Sequence, residues 1–454
     1  MHWALVVAAG IGVFVLLEAA LRWLVGLGLE TDFYGSIPRE AVRARQVRHG
    51  LRVATGTGWA HLGWIADPKR ERYRIERREG SGWSTVARSR LGSRLVRTGG
   101  DYRVWAEPRR GDAERLVGEA EVSVEAGEPP LHRPRLAGPW RLLFRPERAG
   151  SYVNDHAIFR DAHGRFRLLG ITGPGRGDYS RERRFAQGVS EDFPPTAGMR
   201  EDEPVADFGE LAWAPAVVEH DGVFHLFWSP HRLHHMTSRD GVRWSEPRLA
   251  LSAPAHRFFR DASVLEVAPG QWVLFATGRG RWFSRVDVYQ SFDLEEWQYV
   301  GAALRSRPGS ERNSAFASTE SPQVTCHAGR YYLAITYNNG SRLWTPLLLL
   351  LRRAPRGREY DDTLVFHSDN PYDFGSYAGA RRSPTLVGRM EAHAPRFFRH
   401  PESGAWWITT AGWPWAATLT SGEVAVAPLA WDRVEGSDDA GSKAGREGVS
   451  RPVR

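Results

Sequence analysis

Asp261-Ala262-Ser263-Val264-Leu265-Glu266-Val267-Ala268-Pro269-Gly270-Gln271-Trp272-Val273-Leu274 decides the fold, because four other stretches repeat its plan. They open at Asp155-His156-Ala157-Ile158, Trp213-Ala214-Pro215-Ala216, Glu320-Ser321-Pro322-Gln323 and His393-Ala394-Pro395-Arg396. A turn glycine follows nine positions later at Gly164, Gly222, Gly270 and Gly329, and eleven later at Gly404. An aromatic comes two residues after each glycine (Phe166, Phe224, Trp272, Tyr331, Trp406), and two further lie Leu168, Leu226, Leu274, Leu333 and Ile408. Period-two alternation across a glycine turn predicts a β-hairpin with a buried face. Three units add a serine, acid or amide and terminal aromatic, in Ser238-Arg239-Asp240 to Trp244, Ser291-Phe292-Asp293 to Trp297 and Ser368-Asp369-Asn370 to Phe374, which closes a third and fourth strand. The openings lie 58, 48, 59 and 73 residues apart. Five four-stranded meanders predict a mainly β protein whose residues 141–432 form a five-bladed β-propeller.

In a propeller the innermost strands run side by side around one axis, so their equivalent ends converge on a funnel. The equivalents read from the repeat are Asp155, Trp213, Asp261, Glu320 and His393. Three crowded carboxylates repel, which keeps one protonated near neutrality and yields an acid beside a base. Trp213 offers a flat apolar platform for a sugar ring. His393 is expected on the funnel wall, as a substrate contact or as a ligand to water or to a structural cation. The arrangement is the outline of a carbohydrate-active site without an organic cofactor or a catalytic metal.

At these residues the sequence resembles the five-bladed glycosidases of glycoside hydrolase families 43, 32, 62 and 68. Asn154-Asp155 is similar to the opening of the fructosidase Asn-Asp-Pro-Asn motif, Phe259-Arg260-Asp261 to Arg-Asp-Pro, and Glu320-Ser321-Pro322 to the acid motif before proline. The resemblance implies Asp155 as general base or nucleophile, Glu320 as general acid and Asp261 as pKa modulator or transition-state stabiliser. Asn154 and Arg260, which lie in those motifs, and Trp213 and His393, which share the repeat register, are expected to be substrate contacts. His156-Ala157 stands where the family motif has Pro-Asn, and Ala262 where it has Pro. Those departures leave the family open and fit a changed substrate among furanosides and xylosides. The reading from a different class is a carbohydrate-binding or adhesion protein on a degenerate propeller.

The remaining sequence divides into four parts. Residues 3–29 are apolar except Glu18 and Arg22, which stand at i and i+4 and can pair, so the span is expected to be a transmembrane anchor or a signal peptide. Alternating runs at His61 to Ile65, Tyr73 to Arg77, Asp101 to Ala106 and Glu119 to Glu125 predict a small β-sandwich over 48–126. Trp64, Tyr73, Tyr102 and Val104 resemble the pattern of a fibronectin type III domain, which implies a spacer. Pro129, Pro130, Pro134 and Pro139 predict a stiff linker over 127–140, and the polar, Gly- and Ser-rich tail over 433–454 is expected to be disordered.

Charge excludes less than it suggests. The chain has 454 residues and a formal net charge of +8. Residues 39–115 carry 19 basic and 9 acidic side chains, so the larger C-terminal part is near neutral. No basic motif with interleaved aromatics accompanies the surplus, which argues against nucleic acid as partner. Arg39, Arg43, Arg45 and Arg48 favour a cytoplasmic C-terminal side, whereas a polymer-degrading propeller meets its substrate outside; large domains cross regardless of such charge, so the propeller is expected to be extracytoplasmic. The single cysteine, Cys326, rules out an intrachain disulfide. Of His225, His231, His234 and His235, which could suggest zinc, His225 and His235 fall on strand-like runs whose neighbours alternate, and Gly173 to Gly177 lacks the lysine of a phosphate loop, so neither is read as a ligand site. Oligomeric state is not legible.

Overall fold

The computed structural model describes residues 50–434 apart from 110, 112, 149, 175–180, 206, 252–258, 280–283, 307–317, 339–361, 378–382 and 414–418. The apolar segment 3–29, the arginines that follow it and all but the start of the tail lie outside the described residues. Among the described residues no helix is long and apolar enough to cross a membrane.

Seven strands come first: β1 (Arg52–Gly56), β2 (Trp59–Gly63), β3 (Glu71–Glu79), β4 (Gly82–Ser89), β5 (Ser93–Val96), β6 (Gly100–Pro108) and β7 (Arg115–Val122). They form two sheets ordered β1-β2-β5 and β4-β3-β6-β7. Alternate side chains Tyr73 and Ile75 on β3 and Tyr102 and Val104 on β6 meet Leu62 and Trp64 in one core. Tyr102 donates its hydroxyl to the Thr98 carbonyl at 2.8 Å, which ties the turn entering β6. The sequence had marked four of these strands; β1, β4 and β5 carry too little alternation to be read.

Next come β8 (His132–Leu136) and β9 (Arg141–Phe144). Blade one is β10 (His156–Arg160), β11 (Phe166–Thr172), β12 (Arg184–Ser190) and β13 (Arg200–Val205); blade two is β14 (Trp213–His220), β15 (Val223–Ser229), β16 (Leu233–Ser238) and β17 (Arg248–Leu251). Blade three is β18 (Phe259–Ala268), β19 (Gln271–Arg279), β20 (Ser284–Ser291) and β21 (Gln298–Ser306). Blade four holds β22 (Ser318–His327), β23 (Arg330–Asn338), β24 (Asp362–Ser368) and, after the short β25 (Ser376–Tyr377), β26 (Leu386–Glu391). Blade five is β27 (Arg396–Arg399), β28 (Trp406–Ala411) and β29 (Val424–Arg433). Its outer strand comes from the other end of the chain, with β8 and β9 both pairing antiparallel to β29. The Pro-rich stretch read as a linker is therefore part of the ring closure; Pro134 is tolerated because β8 is an edge strand.

Each inner strand touches the next, β10 to β14, β14 to β18, β18 to β22, β22 to β27, and β27 back to β10. Five sheets thus close a ring. The blades are buried on both faces, which is why Trp272-Val273-Leu274-Phe275-Ala276 reads as an unbroken apolar run: Trp272, Leu274 and Ala276 pack toward blade two, Val273 and Phe275 toward blade four. The serine and acid pattern proves to be a turn. Asp240 Oδ1 accepts the N–H groups of Val242 and Arg243, Asp293 Oδ1 those of Glu295 and Glu296, and Asn370 Oδ1 those of Tyr372 and Asp373.

The sandwich packs against blades three and four. Trp59 meets Tyr331 and Tyr372, and the His61 ring stacks on Tyr372 at 3.7 Å. Gln290 and Gln298 donate to the Trp64 carbonyl at 3.1 and 2.6 Å, and Gln271 donates to His61 Nδ1 at 3.1 Å. Strand register puts Gln271, Gln290 and Gln298 at the hairpin-turn end of blade three, opposite the end where β18 begins.

Candidate active site

Strand pairing fixes which residues are equivalent. Trp213 pairs with Ser229, Arg260 with Thr277 and Glu320 with Thr336, and each strand then bulges before pairing resumes at Ala216, Ser263 and Gln323. The residue after each is left-handed: Ala214 (φ 49°), Asp261 (φ 58°), Ser321 (φ 49°) and, in blade five, Ala394 (φ 44°). Asp261 is thus level with Ser321, one residue away from the repeat alignment, and Asp155 shares the offset, because the pairings Ile158 with Leu168 and Val217 with Leu226 put Asn154, not Asp155, level with Trp213. A second bulge between Glu266 and Ala268 inserts the residue that hid the offset of Asp261.

Two tiers result. The leading tier is Asn154, Trp213, Arg260, Glu320 and His393; the following tier is Asp155, Ala214, Asp261, Ser321 and Ala394. Contacts between blades stay within a tier. In the leading tier Arg260 Nη2 donates to Glu320 Oε1 at 2.6 Å, and His393 Nε2 lies 3.1 Å from Asn154 Oδ1. In the following tier Ser321 Oγ donates to Asp155 Oδ1 at 2.6 Å and Ser321 N–H to Asp261 Oδ2 at 3.1 Å. Arg260 and Asn154 also link the tiers, the first lying 3.7 Å from Asp261 Oδ2 and the second donating to Asp155 Oδ2 at 3.3 Å. Because the Asn154 amide nitrogen faces Asp155, its oxygen accepts, so His393 carries its proton on Nε2.

Six of the seven residues singled out from the sequence lie in this network; Trp213, expected as an open platform for a sugar ring, is instead buried in the apolar core between blades one and two with Leu169, Phe185 and Leu226. Asn154, Asp155, Trp213, Asp261, Glu320 and His393 are buried, and Arg260 is partly so. Burial raises Asp261 to about 6, the neighbouring Asp155 and Glu320 add to the rise, and Arg260 opposes it. His393, expected to ligate water or a cation, spends Nε2 on Asn154. Among the described residues no group of three or more His, Cys, Asp or Glu could hold a metal ion. The histidine pair of blade two is a hydrogen-bonded stack: His235 Nε2 lies 2.9 Å from His225 Nδ1 while Arg248 Nε donates to His235 Nδ1 at 3.2 Å, so both nitrogens of His235 are taken.

Four further residues belong here. Glu182 is buried with Tyr152 donating to Oε1 at 2.5 Å and Trp413 at 3.2 Å. Burial pushes it up to about 7, and Asp155 contributes in the same direction. Its setting in Arg181-Glu182-Arg183-Arg184 reads as exposed loop, which is why the sequence hid it. Thr277 donates to Asp261 Oδ2 at 2.8 Å. Arg396 is buried with its Nε on the His156 carbonyl at 2.6 Å; burial lowers its pKa while Asp155 and Asp261 attract its charge. It borders a cavity of about 110 Å³ lined by all five inner strands, among them Ile158, Val217, Val264, Gln323 and Phe397. Ser321, the fourth, sits inside the motif already quoted for Glu320.

A carboxylate triad in which two members share a serine and two share an arginine can hold one proton and one negative charge at fixed positions. Acid and base catalysis across a substrate bond requires that division. No protein-family model matches the sequence, and no curated protein matches it. Among solved structures, the chain is similar to a thermostable family-43 glycoside hydrolase at 15% identity and a TM-score of 0.44, over 68% of this chain and 100% of that one. It is also similar to a family-43 enzyme from Xanthomonas citri complexed with xylotriose, at 15% identity and TM-score 0.43 over 64% and 91% of the chains. A family-32 β-fructofuranosidase from Bombyx mori in complex with sucrose aligns at 15% identity and TM-score 0.45 over 66% of each chain.

Proposed function

We propose that the chain is a glycoside hydrolase that cleaves furanosides or xylosides in an oligo- or polysaccharide. The observation that carries this reading is the convergence of Asp155, Asp261 and Glu320 from blades one, three and four on one hydrogen-bonded network through Ser321 and Arg260. Glu320 delivers the proton to the leaving oxygen, Asp155 attacks the anomeric carbon or activates water, and Asp261 tunes both. For Glu320 to give up a proton, Arg260 must release it, because a cation that close favours the ionised form; a substrate oxygen is the natural new partner for the guanidinium. Hydrolysis of a panel of aryl arabinofuranosides, xylosides, galactosides and fructans tests the reading. Turnover of none, with retained sugar binding, would favour the carbohydrate-binding alternative, which the Arg260–Glu320 ion pair supports.

The setting completes the proposal. The sandwich is read as fibronectin type III-like, on its two-sheet strand order and its Tyr102 tie to Thr98. Residues 3–29 anchor the chain to a membrane, with the propeller outside the cytoplasm. Since the sandwich meets blade three at its hairpin-turn end, the carboxylates face away from it, toward a polymer.

A further inference from the structure

We propose that Ser321 is a positioning residue for the reaction: its hydroxyl holds Asp155 and its N–H holds Asp261, so the strand that carries Glu320 sets all three carboxyls at once. The inference rests on the glycosidase reading above. Ser321 is 1% exposed, and its two bonds of 2.6 and 3.1 Å reach blades one and three. The bulge itself does not ask for a hydroxyl. At the equivalent left-handed positions blades two and five carry alanine, Ala214 and Ala394. The serine is therefore explained by what it binds.

The consequence is a division of labour within one peptide. Glu320 lies in the leading tier against Arg260, and Ser321 in the following tier against the other two acids. A hydroxyl donor favours the ionised form of the carboxyl it binds, which is the form a base or nucleophile needs. The other groups that act on Asp155 are Asn154 and Glu182 of blade one, Asp261 of blade three and Arg396 of blade five. Of the described side chains hydrogen-bonded to the Asp155 carboxyl, only Ser321 comes from another blade.

Ser321→Ala removes the hydroxyl and keeps the backbone that alanine already adopts at 214 and 394. It should lower kcat/KM roughly 10- to 100-fold, the worth of a hydrogen bond to a charged group, mostly through kcat, and move the acid limb of the pH profile up. Ser321→Gly, which also relieves the left-handed φ, should lose as much. An alanine variant with wild-type kcat/KM and pH profile would overturn the proposal, as would an alanine variant that is normal beside a glycine variant that is not. A second readout is independent of turnover: in a double-mutant cycle of Ser321→Ala and Asp155→Asn, the stability loss of the double variant should fall short of the sum of the two single losses. If the wild type cleaves no glycoside, the hydrolase reading fails while that cycle still decides the coupling; strictly additive losses reject it.

Discussion

The two ends of the inner hairpins have the same strands and opposite chemistry. At the turn end blades two and four turn through left-handed residues, Asp221 (φ 50°) before Gly222 and Ala328 (φ 49°) before Gly329, and the groups that meet the sandwich at blade three are neutral amides, a histidine and a tyrosine hydroxyl, while the buried arginines Arg167 and Arg330 are paired with Asp161 and Glu128. At the other end the left-handed residues are alanine, aspartate and serine, and the buried groups are carboxylates and arginines that no single pairing neutralises. Left-handed non-glycine residues cost about 1 to 3 kcal/mol each. Both ends carry that cost, so what separates them is charge: paired or neutral groups at the turn end, three carboxylates crowded around shared donors at the other.

The largest expected effect tests the site end. Glu320→Gln keeps shape and removes the transferable proton, so hydrolysis of unactivated glycosides should fall about 10²- to 10⁴-fold, while substrates with good leaving groups are spared and thermal stability is kept. Unchanged kcat/KM on an unactivated substrate would take Glu320 out of the mechanism and blur the contrast between the ends.

The turn end should respond in the opposite manner. Trp59 is fully buried and edge-packed against Tyr331 and Tyr372. Trp59→Ala should cost about 3 to 5 kcal/mol of stability and leave kcat of the folded fraction at the wild-type value. Denaturant unfolding followed alongside activity measures both. A drop in kcat without loss of stability would show that the sandwich acts on the site across the blade.

This contrast also marks what the sequence could reveal. The blades were legible because each buries both faces, so the aromatic and aliphatic positions after every turn glycine repeat. Asp155, Asp261 and Glu320 were legible because they begin those repeats. The one-residue offsets of Asp155 and Asp261 were not; in β18 the second bulge adds a residue that restores the count from Asp261 to Gly270. The repeat reads blade five as a local four-stranded meander, whereas it has three local strands and is completed by β8 and β9 from about three hundred residues earlier in the chain, a pairing no local pattern announces. Glu182 and Arg396 escaped because a charged residue in a polar run gives no sign of being buried.

The third test is of pH. Glu182 rises from 4.5 to about 7 on folding, so the native state holds a proton that the unfolded state has lost. Its contribution is present below pH 4.5 and is lost as pH climbs through 7. Glu182→Gln should therefore gain stability at pH 8, by at most about 3 kcal/mol, and gain nothing below pH 4.5. His61 at the turn end has the reverse sign: burial lowers it to about 3, so its contribution is fully present above pH 6.5 and is lost as pH falls from 6.5 toward 3. Site-end groups limit the alkaline side and turn-end groups the acid side. Unfolding curves at pH 5, 6.5 and 8 check the assignment, and a gain in Glu182→Gln that is equal at all three would refute it.

The smallest effect isolates the backbone. Ala394 is fully buried at φ 44°, follows His393, and donates its N–H to Thr336 Oγ1 at 2.8 Å. Glycine there would relieve a left-handed cost of about 1 to 2 kcal/mol and add an unfolded-state entropy cost of about 0.5 to 1 kcal/mol. The balance is a gain of up to about 1 kcal/mol. If the strain serves to hold the tiers in register, Ala394→Gly should raise the melting temperature slightly and lower kcat, because His393 is no longer pinned against Asn154. The analogous change at the turn end runs the other way. Gly329→Ala puts a side chain where φ is 80° and where Pro129 Cβ lies 3.5 Å from the new atom, so it should destabilise without touching kcat. If Ala394→Gly gains stability and keeps full activity, the strain at the site end has no part in catalysis.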